Sequence, residues 1–496
     1  MKRSMIFREI LGVFLLLVWT QAAYAQDNQF FVPPVVMELS LDEVTDLALA
    51  NSLDIQIAKY NAYIERTSLE KEESLFDTYF NAEASFRRDR GEQASSLAAA
   101  EEKKHALTAG LEKKLPTGTT LELDLTDEKV RTESPFATLN PYNEASVKLA
   151  VTQELGKNFF GLADRSNIKI TKLDIENADF TSLDDIEDAI SEVQRSYWKI
   201  ALKEAQLAIA WDMLKKARQL YRIYQDKYSL GTAEESELLA IQALAIARES
   251  EVFIIEMERD AAKNDLLFLI NKGDFEQDIR AKDTLTCSAK SVYLYEALTE
   301  AVENRRDYRR FKNKLKSKNI DIVIKENALW PEIDLEASFA RNNIDTSRSD
   351  AWGELANSSN DDISVKIKFE IPLENRGARS ALKKSRLEKL KSLVELKRSE
   401  RLILREINDR VNRLNTIRNQ VELFEEMVKV HTEKLQEQVK RLNYGRSDSD
   451  TLIRYEEDLL QARLSLASHL FDYRVSLIEL DSAKDSLLAK YWKGPL

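Results

Sequence analysis

Residues 361–379 read DDISVKIKFEIPLENRGAR, and this one stretch holds a strand, a stop and the start of a helix. Ile363, Val365, Ile367, Phe369 and Ile371 alternate with Asp362, Ser364, Lys366, Lys368 and Glu370. That period of two gives a strand one apolar and one charged face. Pro372 stops it, because proline has no N–H to offer a ladder. From Arg376 to Asn443 there is no proline and one glycine, Gly377. A chain so unpunctuated reaches about 100 Å as a single helix. Ile417, Val421, Phe424, Val428, His431, Leu435 and Leu442 recur mostly three or four residues apart, the seam of a coiled coil. So long a helix needs lengthwise support from other helices. Leu442-Asn443-Tyr444-Gly445-Arg446 is predicted to end it, with Gly445 in the left-handed position. Ser447 or Asp448 then caps a return helix that runs to about Leu488.

Upstream, residues 294–329 predict a helix that stops at Trp330-Pro331, since the residue before proline avoids the helical region. Ile333, Leu335, Ala337 and Phe339 alternate with Glu332, Asp334, Glu336 and Ser338, a second two-faced strand. The order is helix, strands, very long helix, glycine turn, helix.

That order is written twice. Glu43-x4-Ala48-x2-Asn51-x2-Asp54 recurs, shifted by 253 residues, as Glu296-x4-Ala301-x2-Asn304-x2-Asp307. Glu83-Ala84-Ser85-Phe86-x-Arg88 keeps the same shift to Glu336-Ala337-Ser338-Phe339-x-Arg341. Ser146-Val147-Lys148 matches Ser364-Val365-Lys366 at a shift of 218, and Gly231 with Leu238-Leu239 matches Gly445 with Leu452-Ile453 at 214. The second copy is shorter by about 35 residues, lost between Arg341 and Ser364. An internal duplication predicts two similar halves. The first half has strands at Ala82–Arg88 and Ser146–Thr152, and a long helix from about Asp164 to Leu230. Its apolar stripe includes Ile168, Leu173, Ile186, Val193, Tyr197 and Ile200. A turn at Tyr228-Ser229-Leu230-Gly231-Thr232 leads to a return helix, capped at Ser236 and ending near Ile270. Between its strands lies an extra pair, Leu107, Ala109 and Leu111, then Leu121, Leu123 and Leu125, around a turn at Pro116-Thr117-Gly118. This pair accounts for the difference in length; it either extends a wall or projects from it.

The expected division follows. Residues 1–25 are a leader and 26–38 an extension. Repeat 1 has a helix at 39–79, strands at 80–155 and a helical hairpin at 156–271. After a connector at 272–290, repeat 2 has a helix at 291–330, strands at 331–372, a helical hairpin at 373–490 and a tail at 491–496. The leader has a basic head (Lys2, Arg3, Arg8), an apolar run from Ile10 to Trp19, and Ala23-Tyr24-Ala25. That is the form of a secretory signal cleaved after Ala25. With no cysteine near the cut, N-terminal lipid attachment is not expected.

Over 496 residues, 32% are charged and 43% hydrophobic, with 12 Gly and 8 Pro, which excludes collagen-like and low-complexity chains. A net charge of −12 without a basic block argues against nucleic acid as a partner. Cys287 is alone, and His105, His431 and His469 have no partner at metal-site spacing, so neither a disulfide framework, a protein-built metal site nor a cofactor is expected. There is no Ser-His-Asp arrangement and no phosphate loop, so catalysis is not expected.

Two-faced strands suit a wall between lipid and water, but a half-buried strand of a soluble sandwich alternates identically. If they lie in a membrane, the few strands of one chain cannot close a barrel, and several copies must pool them. Pooled strands set the attached helices in a ring around a tube. The competing reading is a secreted coiled-coil scaffold with no channel, which leaves unexplained the strand pairs placed alike in both halves.

From about Leu39 to Leu488 the chain resembles the TolC-type outer-membrane efflux proteins. The resemblance rests on the duplicated Glu-x4-Ala-x2-Asn-x2-Asp opening, the Ile371–Arg379 junction and Tyr228-x-x-Gly231. It implies a mainly α fold of duplicated long helical hairpins forming a trimeric α-barrel tunnel, with a shared twelve-stranded outer-membrane β-barrel. It further implies a passive duct of a Gram-negative bacterium that docks through a periplasmic adaptor onto an inner-membrane pump or ABC transporter, for efflux or type I secretion. Adaptor contact would fall on Leu230, Gly231 and Thr232, and on Tyr444, Gly445 and Arg446, where only the glycine of the motif is kept. A periplasmic gate would draw on Glu234, Glu235, Glu237, Asp448 and Asp450, with Arg454 or Arg446 holding it shut. Three carboxylates around an axis repel one another and attract cations; the same acids also suit helix N-termini for the dipole alone.

Overall fold

The computed structural model describes residues 36–91, 101–134, 137–273, 278–288, 291–443 and 449–492. The leader and the second tip, Tyr444–Asp448, lie outside them. The elements in chain order are β1 (Val36–Leu39), α1 (Leu41–Asn51), α2 (Leu53–Glu73), β2 (Thr78–Asp89), β3 (Glu102–Lys114), β4 (Thr119–Thr132) and β5 (Tyr142–Glu154). They continue with α3 (Leu162–Ser229), α4 (Glu235–Leu269), β6 (Asp278–Ala281), α5 (Leu294–Asn304), α6 (Arg306–Asn327), β7 (Glu332–Asp345) and α7 (Arg348–Gly353). β8 (Asp361–Glu370), α8 (Arg376–Asn443), α9 (Ser449–Ala483) and α10 (Leu487–Tyr491) complete the chain.

The duplication is closely kept in the helices. α3 and α8 each have 68 residues, α4 and α9 each have 35, and both pairs start 214 positions apart. α1 and α5 have 11 residues each and start 253 apart. The single helix expected at 294–329 is two, and so is its counterpart in repeat 1. Arg305 (φ −55°, ψ 118°) and Ser52 (φ −57°, ψ 132°) turn the chain out of the helical region, within the repeated Asn-x2-Asp motif. Neither break involves proline or glycine. At the first, the Ser52 amide still donates to the Ala48 carbonyl at 2.8 Å; at the second, Arg305 donates to Ala301 at 2.9 Å.

The chain forms two compact units. One gathers residues 36–44, 196–285 and 431–467 among those described. Here α3 and α4 run antiparallel around Ala210, Leu214, Val252 and Ile255, flanked by Lys203–Glu258 at 2.7 Å and Arg218–Glu249 at 2.9 Å. β1 pairs parallel with β6, and the buried Tyr197 hydroxyl has two acceptors for its one proton, the Leu39 carbonyl at 3.0 Å and the Asp283 carboxylate at 2.8 Å. Burial pushes that phenol well above the ordinary tyrosine range.

The other unit, residues 45–195, 286–430 and 468–492 among those described, holds the main sheet and the rest of the helical residues. In it α6 lies along the first part of α8, tied by Lys314–Glu395, Lys318–Glu388 and Arg386–Glu326 at 2.6–2.9 Å. Its polar centre is Arg306, 8% exposed, paired with Glu187, Asp184 and Asp485. Glu187 also accepts the backbone amides of Leu487 and Leu488. Burial raises the Glu187 carboxyl although Arg306 opposes the shift.

The sheet differs from the expectation. Twelve strands shared by three copies would mean four from each, whereas this chain builds a six-stranded antiparallel sheet in the order β2-β3-β4-β5-β7-β8. The extra hairpin β3–β4 is inserted between β2 and β5, the two strands whose counterparts in repeat 2, β7 and β8, are direct neighbours.

Candidate functional site: sheet wall and helical tip

The register of the six strands sorts their side chains onto two faces. Phe80, Leu111, Leu123, Leu149, Phe339 and Ile363 are successive partners, so one rung is apolar across the whole sheet. Ala82, Ala109, Leu125 and Val147 continue that face on one side, and Leu121, Val151, Ala337 and Val365 on the other. The alternate residues are polar: Glu83 with Thr108, Glu112 with Glu122, Asp124 with Lys148, and Glu336 with Lys366. On β8 the apolar side chains are wide open, Ile363 72%, Val365 69% and Ile367 68% exposed. Such a face needs an apolar neighbour, and the hydrocarbon of a bilayer supplies one. The apolar residues run to Phe86 on β2 but to Phe369 on β8, many rungs lower. A level belt crosses the rungs obliquely in this way when strands are tilted to the membrane normal.

Where the apolar face ends, charge begins. Asp127, on the same face as Leu125, accepts from Arg348 Nε at 3.0 Å and Trp352 Nε1 at 2.9 Å, so α7 covers the ends of β4 and β5. Ala351, Leu355 and Trp352 pack on Ala145 and Val147 beneath it. At the opposite end of the strands, each long helix starts beside an asparagine with positive φ: Asn158 (61°) before α3 and Asn375 (44°) before α8. The Asn158 side chain accepts the Ala163 amide at 2.7 Å and donates to Asp164 at 2.8 Å. The sequence offered a signal here, an asparagine just before each helix, that periodicity alone passes over.

The first tip ends α3 as its glycine predicts. Gly231 has φ +74°; its amide donates to the Tyr228 carbonyl at 2.9 Å, and the Thr232 amide to Lys227 at 2.8 Å. These are the two bonds of a Schellman motif, which requires a left-handed residue at that point. The Thr232 hydroxyl also donates to Lys227 O at 2.9 Å, and Leu230 is left 77% exposed. Of the acids singled out, Glu234 is the N-cap in place of Ser236: it forms a capping box with Glu237, whose carboxylate accepts the Glu234 amide at 3.1 Å. Ser236 donates to Glu234 at 3.3 Å. Glu235 is exposed in the first turn. Asp450 sits exposed in the first turn of α9, and Arg454 donates to Thr451 at 3.3 Å. Tyr444, Gly445, Arg446 and Asp448 lie outside the described residues, so the acids of the two tips are not brought together here.

A residue not singled out in the sequence, Glu456, is 5% exposed in the same unit. It lines a groove of about 530 Å³ with Lys216, Leu220, Leu435, Leu452 and Leu459. Its Oε2 has no hydrogen-bond partner among the described residues, and burial pushes its carboxyl up to about 7 against the pull of Arg248 and Lys216. Nothing in its helical spacing separates it from the many solvated acids around it. His431, on the seam, is half-buried with Nδ1 3.9 Å from Asp458; His105 stacks on Phe86 and His469 on Phe424. Among the described residues no helix is long and apolar enough to cross a membrane.

A two-faced antiparallel sheet joined to duplicated long helical hairpins is a fold shared with solved outer-membrane channels. Residues 297–483 match the family model described as "Outer membrane efflux protein". The fold matches that of CusC, solved in a study of its folding and transmembrane channel formation, with a TM-score of 0.67 at 17% identity, over 93% of this chain and 95% of that one. VceC of Vibrio cholerae matches with a TM-score of 0.67 at 15% identity (90% and 96% covered). The CmeC channel of Campylobacter jejuni matches with 0.63 at 15% (90% and 85%). No curated protein matches the sequence. By that family match, residues 297–483 are similar to the outer membrane efflux proteins, and the fold of the chain is that of these solved channels.

Proposed function

We propose that this protein is the outer-membrane duct of a tripartite efflux or type I secretion system. Three copies pool their sheets in the outer membrane, and their helical hairpins line a periplasmic tunnel. The carrying observation is the sheet itself, apolar on one face, charged on the other, with unpaired edges at β2 and β8. A sheet with open edges cannot stand alone in hydrocarbon, because each unpaired backbone group there costs several kcal/mol. Copies of the chain remove those edges. The polar face then lines water, and solute passes without a binding step or chemistry.

In this reading residues 1–25 direct export and are cleaved after Ala25, without a lipid anchor. Leu230, Gly231 and Thr232, with Tyr444, Gly445 and Arg446, meet a periplasmic adaptor, which connects the duct to an inner-membrane pump or ABC transporter. The exposed Leu230 beside a fixed glycine turn suits an apolar knob for an adaptor helix. Glu234 and Glu237 serve the cap; Glu235 and Asp450 are left for the mouth, with Asp448 and Arg454 close to Asp450 in sequence. Detergent extraction of outer membranes should yield a heat-dissociable trimer that conducts ions in planar bilayers. A detergent-independent, non-conducting rod would support the scaffold instead.

A further inference from the structure

The β3–β4 hairpin has no counterpart in repeat 2, and the family resemblance assigns it no place. Three observations bear on its place. It is hydrogen-bonded on both sides, to β2 over Thr78–Asp89 and to β5 over Thr119–Val130. Its apolar residues fall on the same rungs and face as those of its neighbours, Leu111 and Leu123 between Phe80 and Leu149. Its turn lies at the end of the sheet where the long helices start, the tight side, whereas the connections after β2, β4 and β7 are longer. Short turns on the periplasmic side and longer loops outside are the habit of outer-membrane barrels.

The turn is also built into the helix junction. A Cβ on Gly118 would lie 2.6 Å from the Gly161 amide nitrogen, and one on Gly161 2.3 Å from the Pro116 carbonyl. Only two glycines allow that approach. Lys114 bridges Glu154 at 3.3 Å and Asp164 at 2.9 Å, and Gln153 Nε2 donates to the Thr117 carbonyl at 3.0 Å.

We propose that the hairpin is part of the transmembrane wall, and that three copies, each giving six strands, close into an eighteen-stranded barrel through pairing of β8 with β2 of the next copy. This rests on the trimeric duct proposed above. The parity works: β2 and β8 run in opposite directions, so closure is antiparallel throughout. The seam is also matched in chemistry. Phe80, Ala82, Ala84 and Phe86 meet Ile363, Val365, Ile367 and Phe369 on the lipid face. Arg87 and Arg88, paired within the chain to Asp89 and Glu101, lie at the rim end of β2, and Asp361 and Asp362 begin β8. Barrel diameter grows roughly linearly with strand number, so eighteen strands make the lumen about one and a half times as wide as twelve would. An aqueous exit of that width admits larger hydrated solutes.

The test uses the full chain with Cys287→Ser and one cysteine at a time, labelled with an environment-sensitive fluorophore, in bilayers containing brominated lipid. Leu121→Cys, Leu123→Cys and Leu125→Cys should be quenched at least twofold, as should the β8 reference Val365→Cys. Glu122→Cys, Asp124→Cys and Lys366→Cys should not be. Quenching at Val365 without alternation over 121–125 would overturn the wall assignment and leave the duct intact. No quenching at Val365 would remove the duct reading, and this proposal with it. Spin labels on Phe80→Cys and Leu149→Cys give a second readout should polar-face variants fail to assemble. Three strand spacings put their backbones about 14 Å apart, whereas a projecting hairpin would leave β2 beside β5 at about 5 Å.

Discussion

Laid over each other, the two repeats agree in their helices and disagree in their charges and connections. A constant shift of 214 relates α3 to α8 and α4 to α9 end to end. At the shared helix break, however, repeat 1 has Leu53, 53% exposed, where repeat 2 has Arg306, buried among three carboxylates. At the junctions, Gly161 is pressed against Pro116 while Gly377 has open space around it. On the return helices, buried Glu456 corresponds to exposed Gln242. Duplication thus preserves the frame, set by backbone hydrogen bonds and punctuation. Divergence falls on the few positions where one copy must meet something the other does not.

The largest effect that follows is at the break. Arg306→Ala leaves Glu187 buried with only backbone donors, and removing one partner of a buried pair costs about 3–5 kcal/mol. Leu53→Ala, at the matching place, should cost under about 1 kcal/mol. Urea unfolding of the two variants side by side measures the asymmetry; equal losses would break the comparison.

Next is pH. The Glu456 carboxyl titrates near 7 when folded and near 4.3 when unfolded. Between those values the folded state holds the extra proton, so stability falls as pH rises through the window and is recovered below it. A shift of that size corresponds to roughly 4 kcal/mol. Hydrogen-exchange protection factors of α9 over 449–467, corrected for the intrinsic pH dependence of amide exchange, should therefore fall from pH 5 to pH 7.5. Glu456→Gln should flatten the profile, and α4, with Gln242 in that position, should be flat already.

A smaller effect separates the glycines. Gly161→Ala forces the helix junction away from the β3–β4 turn, at about 1–3 kcal/mol, read as earlier loss of the heat-dissociable form. Gly377→Ala, inside a helix with free space, should be neutral or stabilising by up to about 1 kcal/mol. Smallest is Gly231→Ala, which meets no atom within 4 Å and loses only the ease of positive φ, about 1 kcal/mol. Its effect should be confined to exchange in the last turn of α3 and, on the docking proposed above, to affinity for an adaptor.

Much of this frame was legible beforehand because it depends on local chemistry. Alternation at Ile363–Phe369 and the unbroken run after Arg376 need no tertiary information to read. The break at Ser52 and Arg305 was hidden, since it is made by ψ alone at residues that sit well inside helices elsewhere. Ser236 looked like the cap because serine is a good one, but Glu234 and Glu237 satisfy each other's backbone. The place of the β3–β4 hairpin was undecidable from its own residues. It is fixed by long-range register with β2 and β5, which no short window contains. Glu456 was invisible for a related reason: burial is a property of its neighbours.

The proposed duct requires copies of this chain to pool their sheets. Native mass spectrometry of the protein released from outer-membrane extracts into detergent tests this most directly. Three chains per particle, falling to one on heating, is the predicted result. A single chain that stays folded and soluble after detergent is withdrawn would contradict it.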